Sequence, residues 1–176
     1  EPSVVVRHAA SAAASGSSWD DASAAGAETA AAAPTAAETV LPLAGLHLLL
    51  AEDNELNAEI AVTLLEEQGA KITAVTNGKE ALETIQNAAP RTYNAILMDV
   101  MMPEMNGLEA TRCIRAFEGK GPDEGTPIIA MTANVFADDV KACLDAGMNS
   151  HVGKPLDMKI LMAEILKYTN RTRSIC

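Results

Sequence analysis

Four short apolar runs in this 176-residue chain lead directly into residues able to do chemistry. Leu46 to Ala51 is followed by Glu52 and Asp53, Ala95 to Met98 by Asp99, Ile128 to Met131 by Thr132, and Ser150 to Val152, after Gly153, by Lys154 and Pro155. If the runs are strands of one parallel sheet, these side chains converge on its carboxyl edge, where open α/β sheets build their sites. Three carboxylates held together repel and raise one another's pKa values, so something must offset them. A hard divalent cation with oxygen ligands does so; Mg²⁺ takes few protein ligands and keeps several waters, and Lys154 adds a fixed positive charge. A central carboxylate in such a cage can attack phosphorus and form an acyl phosphate. Phosphoryl transfer asks for little beyond positioning and charge neutralisation, which this residue set can supply. Asp99 is the candidate for the centre, because the run before it is the most fully apolar and so belongs in the middle of the sheet.

Taken one at a time these residues say less. Acids after strands are common loop residues. A lone Thr at position 132 is more often a helix N-cap, and a lone Lys at 154 a solvated cation. The joint pattern is what carries weight, together with the Lys154-Pro155 pair, whose restricted geometry is compatible with a cis peptide holding the amine inward.

The elements that must position them can be read from periodicity. Strands are expected at Leu46 to Ala51, Ile72 to Val75, Ala95 to Met98, Ile128 to Met131 and, more weakly, Ser150 to Val152. Helices are expected at 55–68, with Leu56, Ile60, Leu64 and Leu65 on one face, and at 79–88, 107–117, 135–145 and 157–168. Gly69 and Gly147 stand where left-handed C-caps belong, and Asn77 with Glu80 has the spacing of a capping box. Alternating strand and helix with right-handed crossovers gives a parallel sheet covered on both faces.

Residues 1–42 have a different texture, rich in Ala and Ser with a lone Trp19. They are expected to be a linker, because such a composition cannot offset an ordering entropy of roughly 1–2 kcal/mol per residue. Within it, Ala22 to Ala33 has helical propensity, and Val4 to Val6 resembles the end of a strand from an upstream domain. The chain starts at Glu1 without a signal design and reads as a piece of something longer. The expected division is linker 1–42, folded domain 43–170 and tail 171–176. Net charge is -11; residues 1–40 hold one Arg and five acids, leaving 12 basic and 19 acidic residues for the rest. An acidic chain gains nothing from phosphate backbones, so direct nucleic-acid binding is not expected. No apolar run reaches membrane-spanning length, so no membrane contact is expected from this segment. Cys113, Cys143 and Cys176 are odd in number and lack metal-type spacing, which suits a reducing, cytoplasmic setting with Cys113 and Cys143 as small buried hydrophobes.

The series Glu52-Asp53-Asn54, Asp99 followed by Met102-Pro103 and Gly107, Thr132-Ala133 and Lys154-Pro155 resembles the receiver domain of two-component response regulators over about residues 44–168. The phrases from Glu52 to Asn57 and from Met98 to Pro103 are most similar to receivers at the C-terminal end of hybrid sensor histidine kinases. The resemblance implies an α/β fold, a (βα)5 flavodoxin-like three-layer sandwich whose five parallel strands run in the order 2-1-3-4-5. It implies that Asp99 takes a phosphoryl group from the phosphohistidine of a histidine kinase or a His-containing phosphotransfer domain. Glu52, acting through water, with Asp53, Asp99 and the Met101 carbonyl would hold Mg²⁺, while Thr132 and Lys154 would each take a phosphoryl oxygen. The resemblance implies a switch that catalyses its own phosphorylation and dephosphorylation, and it leaves a homodimer open.

Two positions depart from the common pattern. His151 stands where the family's switch often has Phe or Tyr, so the expected switch pair is Thr132 with His151, or else His151 simply lies on the surface. Glu52 replaces the commoner Asp, changing reach but keeping charge. Met101 and Asn134 would flank the attacking water in hydrolysis. The alternative reading is a pseudo-receiver that docks partners without being phosphorylated. A metal-dependent phosphatase fits poorly, since Val100-Met101 follows Asp99 where a second Asp would be needed. Gly119, Gly121 and Gly125 precede a strand rather than joining one to a helix, so they are a solvated turn and not a phosphate loop.

Overall fold

The computed structural model describes residues 41–173, with side chains to 170, within a unit that opens at Leu41. The expected linker, apart from Leu41 and Pro42, lies outside the described residues, as do the stretch of helical propensity at Ala22 to Ala33, the Val4 to Val6 strand end, Trp19 and Cys176. Five strands form: β1 (His47–Ala51), β2 (Lys71–Val75), β3 (Ala95–Asp99), β4 (Ile128–Thr132) and β5 (Ser150–Gly153). Each is followed by a helix: α1 (Glu55–Glu67), α2 (Gly78–Asn87), α3 (Gly107–Glu118), α4 (Ala137–Asp145) and α5 (Met158–Arg173). All pairings are parallel, and the sheet order is β2-β1-β3-β4-β5.

Every residue of β3 and β4 is buried, which explains their unbroken apolar sequences. Successive side chains alternate between the two faces of the sheet. Leu48, Leu50, Leu97, Ile129, Met131 and Val152 pack with Leu65 of α1 and Leu161 and Ile165 of α5. Leu49, Ile96, Met98, Ile128 and Ala130 pack on the other side with Ile85 of α2, Ile114 of α3 and Cys143 of α4. Each fully buried Leu or Ile contributes about 1.5–3 kcal/mol, so the two layers clamp β3 from both sides.

Local signals behave as expected at Gly69 and Gly147, whose φ of 91° and 101° end α1 and α4 in left-handed turns. Asn77 caps α2 by accepting from the Glu80 backbone N–H, but the Glu80 carboxylate bonds Thr76 instead of closing the box. The complete capping box is at Asn106 and Glu109, ahead of α3.

Three expectations need correction. The packed face of α1 is Ala58, Ala61, Val62 and Leu65, and Leu56 and Ile60 point outward, 65% and 50% exposed. Small residues let the helix lie close on the sheet, and the larger stripe is left outside. Thr132 caps no helix: the N-cap of α4 is Phe136, which makes no side-chain cap bond. Of the two expected buried cysteines, Cys143 is buried and Cys113 only half-buried. In addition, α5 continues to Arg173, past the expected end at 168.

One unforeseen polar centre ties the sheet's amino-terminal side together. The buried Arg115 side chain donates to the Gly147 carbonyl (2.9 Å), the Glu118 carboxylate (2.8 Å), the Thr126 carbonyl (2.9 Å) and Asn149 Oδ1 (3.0 Å). Asn149 Oδ1 also accepts from the Ile128 backbone N–H at 2.8 Å, so α3 is stitched to the starts of β4 and β5.

Candidate functional site

Register alone brings the predicted residues together. Ala51 lies opposite Met98, Asp99 opposite Met131, and Thr132 opposite Gly153, so Glu52, Asp99, Thr132 and Lys154 follow one another across neighbouring strand ends. The ladder continues past the strands, with Val100 N–H bonded to the Met131 carbonyl (3.1 Å) and Lys154 N–H to the Thr132 carbonyl (2.7 Å). The Lys154–Pro155 peptide is cis. Gly107, at the first turn of α3, must be glycine, because a Cβ there would overlap the Asp99 carbonyl.

Lys154 Nζ donates to Glu52 Oε2 at 2.6 Å and to Asp99 Oδ2 at 2.7 Å. Glu52 and Asp99 are 3% and 4% exposed, whereas Asp53 is exposed. The second Asp99 oxygen accepts from the Met101 backbone N–H (3.1 Å), and the second Glu52 oxygen accepts from Asn57 Nδ2 (3.2 Å). Burial pushes the Asp99 carboxyl above its ordinary value, helped by the Glu52 charge and opposed by the bonds from Lys154 and Met101. For Lys154, burial favours the neutral amine, but its bonds to Asp99 and Glu52 outweigh this and raise its pKa.

One carboxylate oxygen from each of Glu52, Asp53 and Asp99 lies within 4.8 Å of the others. The donors are all hard oxygens, and two come from buried side chains, which is the chemistry that Mg²⁺ takes and a softer metal does not. The residues present therefore fit such an ion.

Thr132 is buried, and its hydroxyl is engaged locally, donating to the Asn134 carbonyl (2.8 Å) and accepting from its N–H (3.1 Å). His151 is half-buried on β5 opposite Ala130, and among the described residues no hydrogen bond joins it to Thr132. The Met101 side chain is exposed at the mouth. Asn57 is the site residue that reading the sequence missed. Its place five residues after Glu52, one turn into α1, was the available signal.

The sequence profile of the response regulator receiver domain matches residues 48–166. The chain belongs to that family. Among curated relatives, the receiver is 36% identical over 143 residues to "Probable histidine kinase 4" of Oryza sativa subsp. japonica, covering 72% of this chain and 14% of the relative. It is 37% identical over 122 residues to "Sensor protein GacS" of Pseudomonas syringae pv. syringae, covering 69% of this chain and 13% of that protein. The chain thus spans about a seventh of the length of these relatives. Among solved structures, the receiver domain of the sensor histidine kinase PA1611 of Pseudomonas aeruginosa PAO1, with a magnesium ion coordinated in its active-site cleft, superposes with a TM-score of 0.63. Identity is 35%, covering 72% of this chain and 99% of that one. The receiver domain of Saccharomyces cerevisiae Ssk1, in complex with the histidine phosphotransfer protein Ypd1, superposes at 0.66 with 25% identity, covering 74% and 92%. Among the described residues of the receiver, no helix is long and apolar enough to cross a membrane.

Proposed function

We propose that this receiver accepts a phosphoryl group on Asp99 from the phosphohistidine of a histidine kinase or a His-containing phosphotransfer domain, and that the modification switches its partner interactions. The observation that carries the reading is the placing of Asp99 at the end of the central strand, bonded to Lys154 beside Glu52 and Asp53. In the transfer, an Asp99 carboxylate oxygen forms the new bond to phosphorus while the phosphorus–nitrogen bond breaks, and its electron pair stays on the donor imidazole. Mg²⁺ held by Glu52, Asp53, Asp99 and the Met101 carbonyl would supply neutralising charge for the phosphoryl oxygens. Lys154 takes one of those oxygens. Thr132 takes another by giving up its bond to Asn134, and that change, relayed toward His151, alters the face made by α4 and β5.

The outward stripe of α1 supports a protein phosphodonor. Leu56, Ile60 and Leu64 recur every four residues from the first turn beside Glu52, and they offer an apolar strip for the donor to cover. The solved complex of a relative with a histidine phosphotransfer protein points the same way. The free thiols Cys113 and Cys143 suit a cytoplasmic place in a longer, hybrid-kinase parent.

The test is exposure to Mg²⁺ and acetyl phosphate followed by intact-mass measurement. One added phosphoryl group is expected in the wild type and none in Asp99→Asn. No gain, or a gain undiminished in Asp99→Asn, sinks the proposal and leaves the pseudo-receiver reading in its place.

A further inference from the structure

We propose that Gly78, at the start of α2 and outside the acidic site, is a positioning residue for the phosphorylation of Asp99. It lets α2 clamp the β3–α3 loop at Met105, and that clamp sets the loop's leading end, Met101, against the acceptor. The inference rests on the function proposed above and concerns how the acceptor's oxygen is held.

The loop between Asp99 and α3 is held in a conformation it would not choose alone. Met101, Pro103 and Glu104 are exposed, and Glu104 stands in the left-handed region at φ 63°, which a non-glycine residue keeps only when its surroundings impose it. A tight turn, Met105 N–H to the Pro103 carbonyl (2.8 Å), joins Glu104 to the part of the loop that α2 touches. There the Gly78 N–H donates to the Met105 carbonyl at 3.0 Å. A Cβ on residue 78 would stand 2.5 Å from that carbonyl oxygen, 2.8 Å from the Ala110 Cβ and 3.1 Å from the Asn106 carbonyl oxygen. Only a residue without a side chain can come this close, so the bond and the glycine belong together. At the loop's other end the Met101 N–H donates to Asp99 Oδ1 at 3.1 Å, so the loop that α2 pins also orients the acceptor. A methyl group at 78 has to be accommodated by α2 or by the loop. The buried Ala81 and Ile85 seat α2 in the core and Asn77 caps it, whereas the loop is exposed, so the loop yields and takes Met101 with it. Such misplacement is costly, reaching about 100-fold in rate for a shift of about 1 Å.

The test compares the wild type, Gly78→Ala, Glu104→Gly and the double variant by three readouts: the rate of labelling with acetyl phosphate and Mg²⁺, the urea midpoint, and the NMR signal of the Met101 amide proton in the unlabelled protein. Gly78→Ala is expected to label at least about tenfold more slowly than the wild type. Its Met101 signal should move upfield as the bond to Asp99 lengthens. Glu104→Gly needs no movement of α2, because glycine accepts the φ at 104 freely, and it keeps the wild-type fold. It loosens the same link, so it too should slow labelling and move the Met101 signal. The double variant should be as slow as the slower single one, since both changes act through one connection. Ile85→Val thins the core contact of the same helix and should lower the midpoint without slowing labelling. A wild-type rate with an unmoved signal in either single variant overturns the positioning role, as does slowing in Ile85→Val equal to that in Gly78→Ala. A wild type that takes no label overturns the proposed function, and the Met101 signal then decides for or against the clamp by itself.

Discussion

Replacing Arg115 by Met tests how far the receiver's stability depends on the polar centre at the amino-terminal end of its strands. Methionine keeps a comparable apolar stem but removes the guanidinium and all four of its hydrogen bonds. The Gly147 and Thr126 carbonyls lose their side-chain donor, and Glu118, itself largely buried, loses its counter-charge while keeping the Thr126 N–H at 3.0 Å. Removing one member of a buried pair costs about 3–5 kcal/mol, because the remaining charge and acceptors stay desolvated. A domain of this size is stable by about 5–15 kcal/mol, so the loss is a large fraction of the whole. At about 2.1 cal/mol/K of unfolding entropy per residue, it corresponds to a fall in Tm of roughly 10–20 °C. The assay is urea unfolding followed by far-UV circular dichroism. A lower midpoint with an unchanged slope is expected. Arg115→Lys should fall between, because an ammonium can keep Glu118 but cannot reach Gly147, Thr126 and Asn149 together. A loss below about 1 kcal/mol in Arg115→Met, or a Lys variant as stable as the wild type, would refute the assigned role.

Two further outcomes follow from the site. Because burial raises the Asp99 pKa in the folded state, the folded protein keeps a proton that the unfolded chain has lost, over a window that begins at the ordinary value of 3.8 and extends upward. Stability due to this group therefore falls as pH rises through that window, and Asp99→Asn should be more stable than the wild type at pH 7, with the difference closing below 3.8. Chemical denaturation across pH checks this, and an Asn variant no more stable at pH 7 contradicts it. Ile60→Ser, on the outward face of α1, should change stability by no more than about 0.5 kcal/mol. It should leave acetyl phosphate labelling intact and slow transfer from a cognate phosphohistidine protein, which a radiolabelled transfer time course resolves.

Much of the protein was legible without coordinates. The unbroken apolar runs, the glycines at 69 and 147 and the position of Asp99 after the most apolar run determine a parallel sheet with that residue at its centre, because two-sided burial leaves no polar positions inside a central strand. The convergence of Glu52, Asp53, Asp99, Thr132 and Lys154 is likewise a consequence of order along the chain, since every strand in a parallel sheet ends on the same edge. Tertiary structure decided the rest. Periodicity shows that α1 has apolar stripes but not which one meets the sheet; close packing chose Ala58, Ala61 and Val62 and left Leu56 and Ile60 outside. Arg115 is one of several helical arginines in composition, and only the approach of Gly147, Thr126 and Asn149 from distant parts of the chain makes it a buried hub. Nor does sequence say that Glu52 accepts a hydrogen bond from Lys154, 102 positions away, because a bond of that kind exists only once two strand ends have been brought together.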